Sequence, residues 1–259
     1  LPAERLESIA VKTDAGGIYR MGIKVALSGA TGRMGRRVGD ALYAMDGVDF
    51  VTGLVRSSQI AAIGCKAPLS DDTGSTLEAC DVLLDFTDFE RTLELAALCA
   101  AAGRPFFVGT TAPTNTEFGA LEDFTASIPI LYAPNISWGA ATLFSILETL
   151  SGQLGPAYDA KVIGVHHREK KDTPSSTSAE ITRRIQAGRN EDTLPEIVSL
   201  RAGGAYSNHE IIFAGHNDEI RISHNVTRPE IDTDVLLAAC RWLTTKGPGF
   251  YALPEVLAG

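Results

Sequence analysis

Val25-Ala26-Leu27-Ser28-Gly29-Ala30-Thr31-Gly32-Arg33-Met34-Gly35 is the stretch on which the fold turns. It follows Ile23-Lys24, so residues 23–28 form an apolar run with strand character, and the glycines then recur as GxxGxxG ahead of a helix-like run to about Ala44. The first glycine, Gly29, permits a tight turn. The second, Gly32, lets a pyrophosphate approach the backbone, and the third, Gly35, lets helix and strand pack closely. A helix opening there presents unpaired N–H groups and the positive end of its dipole to phosphates. The stretch therefore reads as the first βα turn of a dinucleotide-binding unit, although a merely structural turn uses the same glycines.

Working outward, strand and helix alternate. Residues 48–55, 81–87, 105–111 and 129–135 read as strands, with helices over 90–102, stopped by Gly103, and over 114–126. Continuous apolar strands separated by helices imply a parallel sheet covered on both faces. After Asn135 the rhythm changes. Ser137 suits the N-cap of a helix to about Gln153. Residues 160–167 read as a strand, 177–186 as a helix, and 198–202, 209–214 and 219–226 as strands, the last two joined by the turn-forming Gly215-His216-Asn217-Asp218. A helix from about Thr233 to Lys246 closes the pattern before Gly247-Pro248. The fold class implied is α/β, a Rossmann-like parallel-sheet dinucleotide domain plus a smaller α+β domain. The expected boundaries are 1–20 for an N-terminal extension, 21–137 for the dinucleotide domain, 138–229 for the second domain and 230–259 for a C-terminal helix returning to the first.

The composition agrees with a folded chain. Of 259 residues, 44% are hydrophobic and 21% charged, which separates the chain from disordered sequences. The net charge of −9 argues against a sequence-independent grip on nucleic acid. No apolar run approaches the ~20 residues of a membrane span. Cys65, Cys80, Cys99 and Cys240 form neither a CxxC pair nor a zinc-spaced cluster, so a reducing, cytoplasmic location with no disulfide framework and no metal is expected. Residues 1–20 lack the apolar core of a signal peptide and are given no role in the fold.

A site selective for an unphosphorylated ribose places an acid at the tip of the second strand. Here the tip is Leu54-Val55-Arg56-Ser57-Ser58, and Asp49 lies at the other end of that strand. An arginine suits a 2′-phosphate through a charge-assisted contact, so NADPH is the expected cofactor, with NADH possible. Asp85-Phe86-Thr87 and Gly109-Thr110-Thr111 reach the carboxyl edge of the sheet, where such folds bind ligands. Gly109 would let the backbone approach a nicotinamide ring. Ordinary strand-end turns are the alternative.

A second constellation runs from His166 to Glu180: His166-His167-Arg168-Glu169-Lys170-Lys171-Asp172-Thr173-Pro174-Ser175-Ser176-Thr177-Ser178-Ala179-Glu180. Histidines at a strand end can exchange protons near neutral pH. Thr177-x-x-Glu180 matches a capping box, and hydroxyls with free N–H groups at a helix start make an anion site. Alone, the basic run would be a solvated face and the box an ordinary cap. The vicinal histidines point to opposite faces of a strand, which disfavours a shared metal.

The same stretch resembles the signature of 4-hydroxy-tetrahydrodipicolinate reductases, the dihydrodipicolinate reductases of lysine and diaminopimelate synthesis. His166, His167, Lys170, Asp172, Pro174, Ser175 and Thr177 match its pattern, and residues 25–35 match the family's glycine loop. Asp85-Phe86-Thr87, Gly109-Thr110-Thr111, Pro134-Asn135-x-Ser137, Arg201-Ala202-Gly203, His209, Phe213 and His224 extend the likeness over about 22–257. The resemblance implies an NAD(P)H-dependent oxidoreductase that reduces a cyclic dicarboxylate, with domain closure over the hydride path and a homotetramer built through the second domain's sheet. It implies His166 as acid/base residue and Lys170 as proton donor, with His167, Ser175, Ser176 and Thr177 on the substrate. For the cofactor it implies Gly29, Gly32, Arg33, Met34, Gly35, Arg56, Phe86, Gly109, Thr110, Thr111, Pro134 and Asn135. The chain departs from the pattern at Ser176 for glycine, at Ser178 for alanine, at Ser207-Asn208 before His209, and at 227–235, where a close-packing glycine is lost. A serine at a position requiring positive φ would be strained. A reductase of another carboxylated cyclic imine or enamine, and a catalytically idle assembly or sensing homologue, are the alternative functions.

Overall fold

The structure, a computed structural model, describes residues 11–12, 18–19, 22–111, 115–228 and 230–259. The expected N-terminal extension lies mostly outside the described residues; within it, β1 (Val11–Lys12) pairs antiparallel with β2 (Ile18–Tyr19). The chain divides into two compact units, one formed by Leu1–Pro134 with Ile231–Leu257 and one by Asn135–Glu230.

The first unit is built on seven parallel strands: β3 (Ile23–Ser28), β4 (Val48–Leu54), β5 (Leu69–Ser70), β6 (Val82–Asp85), β7 (Phe106–Val108), β8 (Pro129–Tyr132) and β13 (Gly249–Ala252). Their order is β13-β8-β7-β6-β3-β4-β5. From β3 the chain winds one way through β4 and β5, then the other way from β6, so β3 and β6 flank the switch point, where the carboxyl ends leave a ligand crevice. Val82, Leu83 and Leu84 are buried on both faces, as a covered parallel sheet requires. α1 (Arg33–Ala44) buries Gly35, Val38, Gly39 and Leu42, a helical stripe, and Gly39 lets the Phe50 ring lie against it. α3 (Phe89–Ala102) ends at Gly103 in the left-handed region, as the sequence predicts. Phe106 and Phe107 are fully buried; each contributes about 1.5–3 kcal/mol relative to exposure.

Several elements of this unit are absent from the sequence reading. Among them are β5, α2 (Thr73–Ala79, capped by Asp72) and the closing pair of β13 with α8 (Leu253–Ala258), which follows α7 (Thr233–Leu243). Residues 230–259 are thus helix, strand and helix rather than one returning helix. α4 covers Asn115–Glu122.

The second unit has the sheet order β10-β9-β11-β12. β9 (Asp159–His166) and β10 (Glu196–Arg201) are parallel and joined through α6 (Ser176–Arg189), whereas β11 (Ser207–Ala214) is antiparallel to both β9 and β12 (Glu219–Val226). The predicted hairpin is closed by Gly215 N–H donating to the Asp218 carbonyl. α5 (Trp138–Leu154), capped by Ser137, packs with α6 over Val162, Ile211 and Phe213. The two helices approach closely because Gly188 has no Cβ to strike the Glu148 carbonyl. Alternation on β9 and β11 buries Ala160, Val162 and Gly164 with Phe213 and Ile211, and the same face ends in His166 and His209. Among the described residues no helix is long and apolar enough to cross a membrane.

Candidate active site

Gly29 adopts φ +78°, and Gly32 N–H donates to its carbonyl at 2.9 Å. A Cβ on Gly35 would run into that carbonyl, so the third glycine is required for the turn to seat on the helix. Gly32 is the N-cap of α1, with no side-chain cap and no acid in the first turn. By contrast α2, α3, α5, α6 and α7 each carry an Asp or Ser side-chain cap. The N–H groups of Arg33, Met34 and Gly35 are left for an outside acceptor, the arrangement that a dinucleotide pyrophosphate fits. Arg33 is exposed there.

Beyond β6 and β7 lies a cleft of about 380 Å³, lined by Met34, Phe86, Thr87, Asp88, Phe89, Gly109, Thr110 and Thr111. It gathers five of the cofactor residues expected from sequence. The reason for Gly109 differs from the expectation: the Phe86 ring fills the space a Cβ would take, so the glycine seats that ring. Beneath the cleft Asp85, which sequence reasoning treated only as part of a strand end, is fully buried and accepts hydrogen bonds from Thr87, Thr92 and Thr110. An acid closing the apolar run Val82-Leu83-Leu84 was the available signal. Arg56 follows β4 as expected, but its guanidinium pairs with Asp88 at 3.3 Å, both side chains being exposed.

In the second unit the cap of α6 differs from the predicted box. Ser175, not Thr177, is the N-cap; its Oγ accepts from Ser178 N–H at 3.1 Å. Glu180 instead pairs with Arg183 and Arg184. Thr177 is held by Asn135, whose Nδ2 donates to Thr177 Oγ1 at 3.0 Å, so Asn135 stands at the start of α6; Pro134, the other residue of that pair, ends the first unit's leading segment. Ser176 opens the helix, and Asn190 is the only non-glycine residue with positive φ among the described residues, so serine in place of glycine carries no backbone strain. Ser178 is buried, its Oγ 2.9 Å from that of Ser175, and Gly164 leaves room for it.

His166 ends β9 and is 2% exposed. Its Nε2 meets Ser207 Oγ at 3.1 Å, and its Nδ1 has no partner among the described residues. Burial, reinforced by the charges of Lys170 and Arg201, pushes its pKa down to about 4, so it is neutral at pH 7. His209 lies edge-on to it, ring centroids 5.3 Å apart, with Nε2 3.5 Å from Ser175 Oγ; His224 stacks behind at 5.8 Å. Burial and the neighbouring histidines lower His209 to about 3. His167, the next residue, is partly exposed. Lys170 Nζ pairs with Asp172 at 2.8 Å. The loop carrying it is clamped by Arg201. Its Nε donates to the Lys170 carbonyl at 3.0 Å, and its Nη2 to the Asp172 carbonyl at 2.5 Å and Thr173 Oγ1 at 2.8 Å. Sequence reading noted Arg201 only as part of the resemblance.

Two family models match successive parts of the chain, dihydrodipicolinate reductase N-terminus over residues 23–136 and C-terminus over 139–257. A 4-hydroxy-tetrahydrodipicolinate reductase of Anaeromyxobacter dehalogenans is 31% identical over 90% of this chain and 97% of its own length. One of Geotalea daltonii is 30% identical over 91% and 98%. A dipicolinate-bound dihydrodipicolinate reductase of Paenisporosarcina sp. TG-14 shares the fold, with a TM-score of 0.72 at 20% identity over 91% of this chain and 99% of that one. With both halves matched and relatives aligned over nine-tenths of its length, the chain belongs to the dihydrodipicolinate reductase family.

Proposed function

We propose that this protein reduces 4-hydroxy-tetrahydrodipicolinate to tetrahydrodipicolinate in lysine and diaminopimelate synthesis. The observation that carries this reading is the start of α6, where capping by Ser175 occupies Ser178 N–H and leaves the N–H groups of Ser176 and Thr177, beside the Lys170 loop, for a carboxylate. A nicotinamide dinucleotide supplies the hydride when bound, through the Gly29–Gly35 turn and the Phe86–Thr110 cleft. Loss of the 4-hydroxyl as water leaves a conjugated double bond that takes the hydride at one carbon, and Lys170 donates the proton to the other. His166, neutral in its buried position, has Nδ1 left for proton exchange, and His167 faces the substrate. The positive charge of Lys170 and Arg201 draws a dianion and stabilises charge that develops on it.

NADPH is the preferred form, with Arg56 on its 2′-phosphate. The exposed Arg56–Asp88 pair is weak enough to exchange for a phosphate. A homotetramer is supported by the face of the second sheet turned away from α5 and α6, where Ile163, Val165, Val198, Leu200 and Ile212 lie together; Val198 and Leu200 are 40% and 47% exposed. Light scattering on the eluting protein tests it. A cytoplasmic location fits the four free thiols.

The test of function is oxidation of NADPH and NADH with freshly generated 4-hydroxy-tetrahydrodipicolinate. Lys170→Ala and His166→Ala are each expected to lower kcat at least tenfold with NADPH affinity near wild type. Normal kcat in both would remove the roles assigned to them. Turnover of another cyclic imine, and none of this substrate, would remove the substrate.

A further inference from the structure

Asp85 ends the central strand β6 and is 0% exposed. Its two carboxylate oxygens take three hydroxyl donors from three segments. Thr87 Oγ1 reaches Oδ1 at 2.7 Å, while Thr92 Oγ1 and Thr110 Oγ1 reach Oδ2 at 2.6 and 3.0 Å. Among the described residues no cation pairs with it, and burial raises its pKa while the hydroxyls pull it back. A carboxylate in that position is costly, and well-packed apolar residues would hold the sheet at least as well. Its partners are not equivalent. Thr92 is fully buried in α3, whereas Thr87 and Thr110 line the cleft.

A threonine hydroxyl has one proton and two lone pairs. When that proton is given to Asp85, the oxygen has only acceptor capacity left. We propose that Asp85 sets the hydrogen-bonding polarity of the cleft, turning Thr87 and Thr110 into acceptors that select the N–H donors of a primary carboxamide on the nicotinamide ring. Asp85 is a positioning residue in this scheme, acting through the two threonines. The inference rests on the nicotinamide part of the functional reading and is independent of which dicarboxylate is reduced.

The experiment is a binding titration, without turnover, of NADP⁺ and its 3-acetylpyridine analogue, whose methyl ketone has no N–H. Wild type is expected to favour the carboxamide about five- to tenfold, the worth of one hydrogen bond. Thr110→Val and Asp85→Asn should bring the ratio below twofold, and Thr110→Ser should keep it. Thr92→Val removes a bond to the same carboxylate away from the cleft, so it should lower Tm and leave the ratio intact. A wild-type ratio near one overturns the proposal, as does an unchanged ratio in Thr110→Val, or loss of the ratio in Thr92→Val as large as in Thr110→Val. Where Asp85→Asn fails to fold, the threonine variants decide the matter. Binding of neither dinucleotide overturns the proposal together with the nicotinamide reading. The expected ratios in a protein that does not turn over the dicarboxylate support it and overturn only the substrate assignment.

Discussion

Replacing Arg201 by lysine keeps a positive charge on a long stem but removes the planar fork. In the structure that fork serves four acceptors, the carbonyls of Lys170, Asp172 and Leu200 and the hydroxyl of Thr173. A lysine ammonium is a single point and cannot reach acceptors spread over the loop and its own strand. Three of the bonds hold the loop itself. The site is partly exposed, so each is taken at the low end of a hydrogen bond's net worth, about 0.5 kcal/mol. Losing three loosens the loop by roughly 1.5 kcal/mol, a tenfold rise in displaced conformations. In the role proposed for it, Lys170 must sit within hydrogen-bond reach of the reacting atom, so kcat should fall about tenfold in Arg201→Lys and ten- to a hundredfold in Arg201→Ala. NADPH affinity, measured by fluorescence titration, should stay within twofold, because every bond involved lies in the second unit. Added guanidinium should restore part of the lost kcat in Arg201→Ala and none in wild type. If Arg201→Ala retains kcat within twofold of wild type, the clamp has no catalytic consequence and the reasoning fails.

Other perturbations probe the rest of the site. Ser207→Ala leaves both ring nitrogens of the buried His166 without a partner among the described residues, which should destabilise the fold by about 1–3 kcal/mol and lower kcat severalfold; an unchanged urea midpoint would contradict it. Gly35→Ala drives a methyl into the Gly29 carbonyl and should abolish measurable dinucleotide binding, with circular dichroism to show that the fold survives. Acid should destabilise the protein early. His166 and His209 titrate lower in the folded chain than in the unfolded one, so their stabilisation is intact above about pH 6.5. It is lost below that at roughly 1.4 kcal/mol per pH unit for each, until about pH 4 for His166 and about pH 3 for His209. Asp85, raised by burial, works in the opposite sense. A urea midpoint that is flat between pH 6.5 and 5 would refute the histidine account.

Elements with their own periodicity and punctuation were legible before the structure: β3 with its glycines, α3 with Gly103, α5 with Ser137, and the β11–β12 hairpin. Those missed lack such marks. β5 is two residues long, α2 is a short polar helix capped by Asp72, β13 is an edge strand of half-buried residues just after Gly247-Pro248, and α8 has only six residues. The cap at Ser175 was missed because Ser175 and Thr177 are both good caps, and which one wins depends on Asn135, distant in sequence, engaging Thr177. Individual candidate residues stood out by their types, yet their conditions could not be read. That His166 is buried and neutral, that Arg56 is held by Asp88, and that Gly109 makes room for Phe86 are all products of packing between segments far apart in the chain.

The last strand has a consequence for how the protein is made. β13 pairs with β8 in parallel, and Gly249 stands opposite Pro129, about 120 positions earlier in sequence. Closing a flexible loop of that length costs on the order of 4 kcal/mol in chain entropy. Most of the intervening chain, Asn135–Glu230, is the second unit. During synthesis the second unit is complete as a continuous segment while the first still lacks its outer strand and leaves the β8 edge open. An unpaired edge in a nascent chain is a template for the wrong neighbour. The insertion thus completes the inner unit's segment in the nascent chain before the residues around 250 exist to seal the outer one.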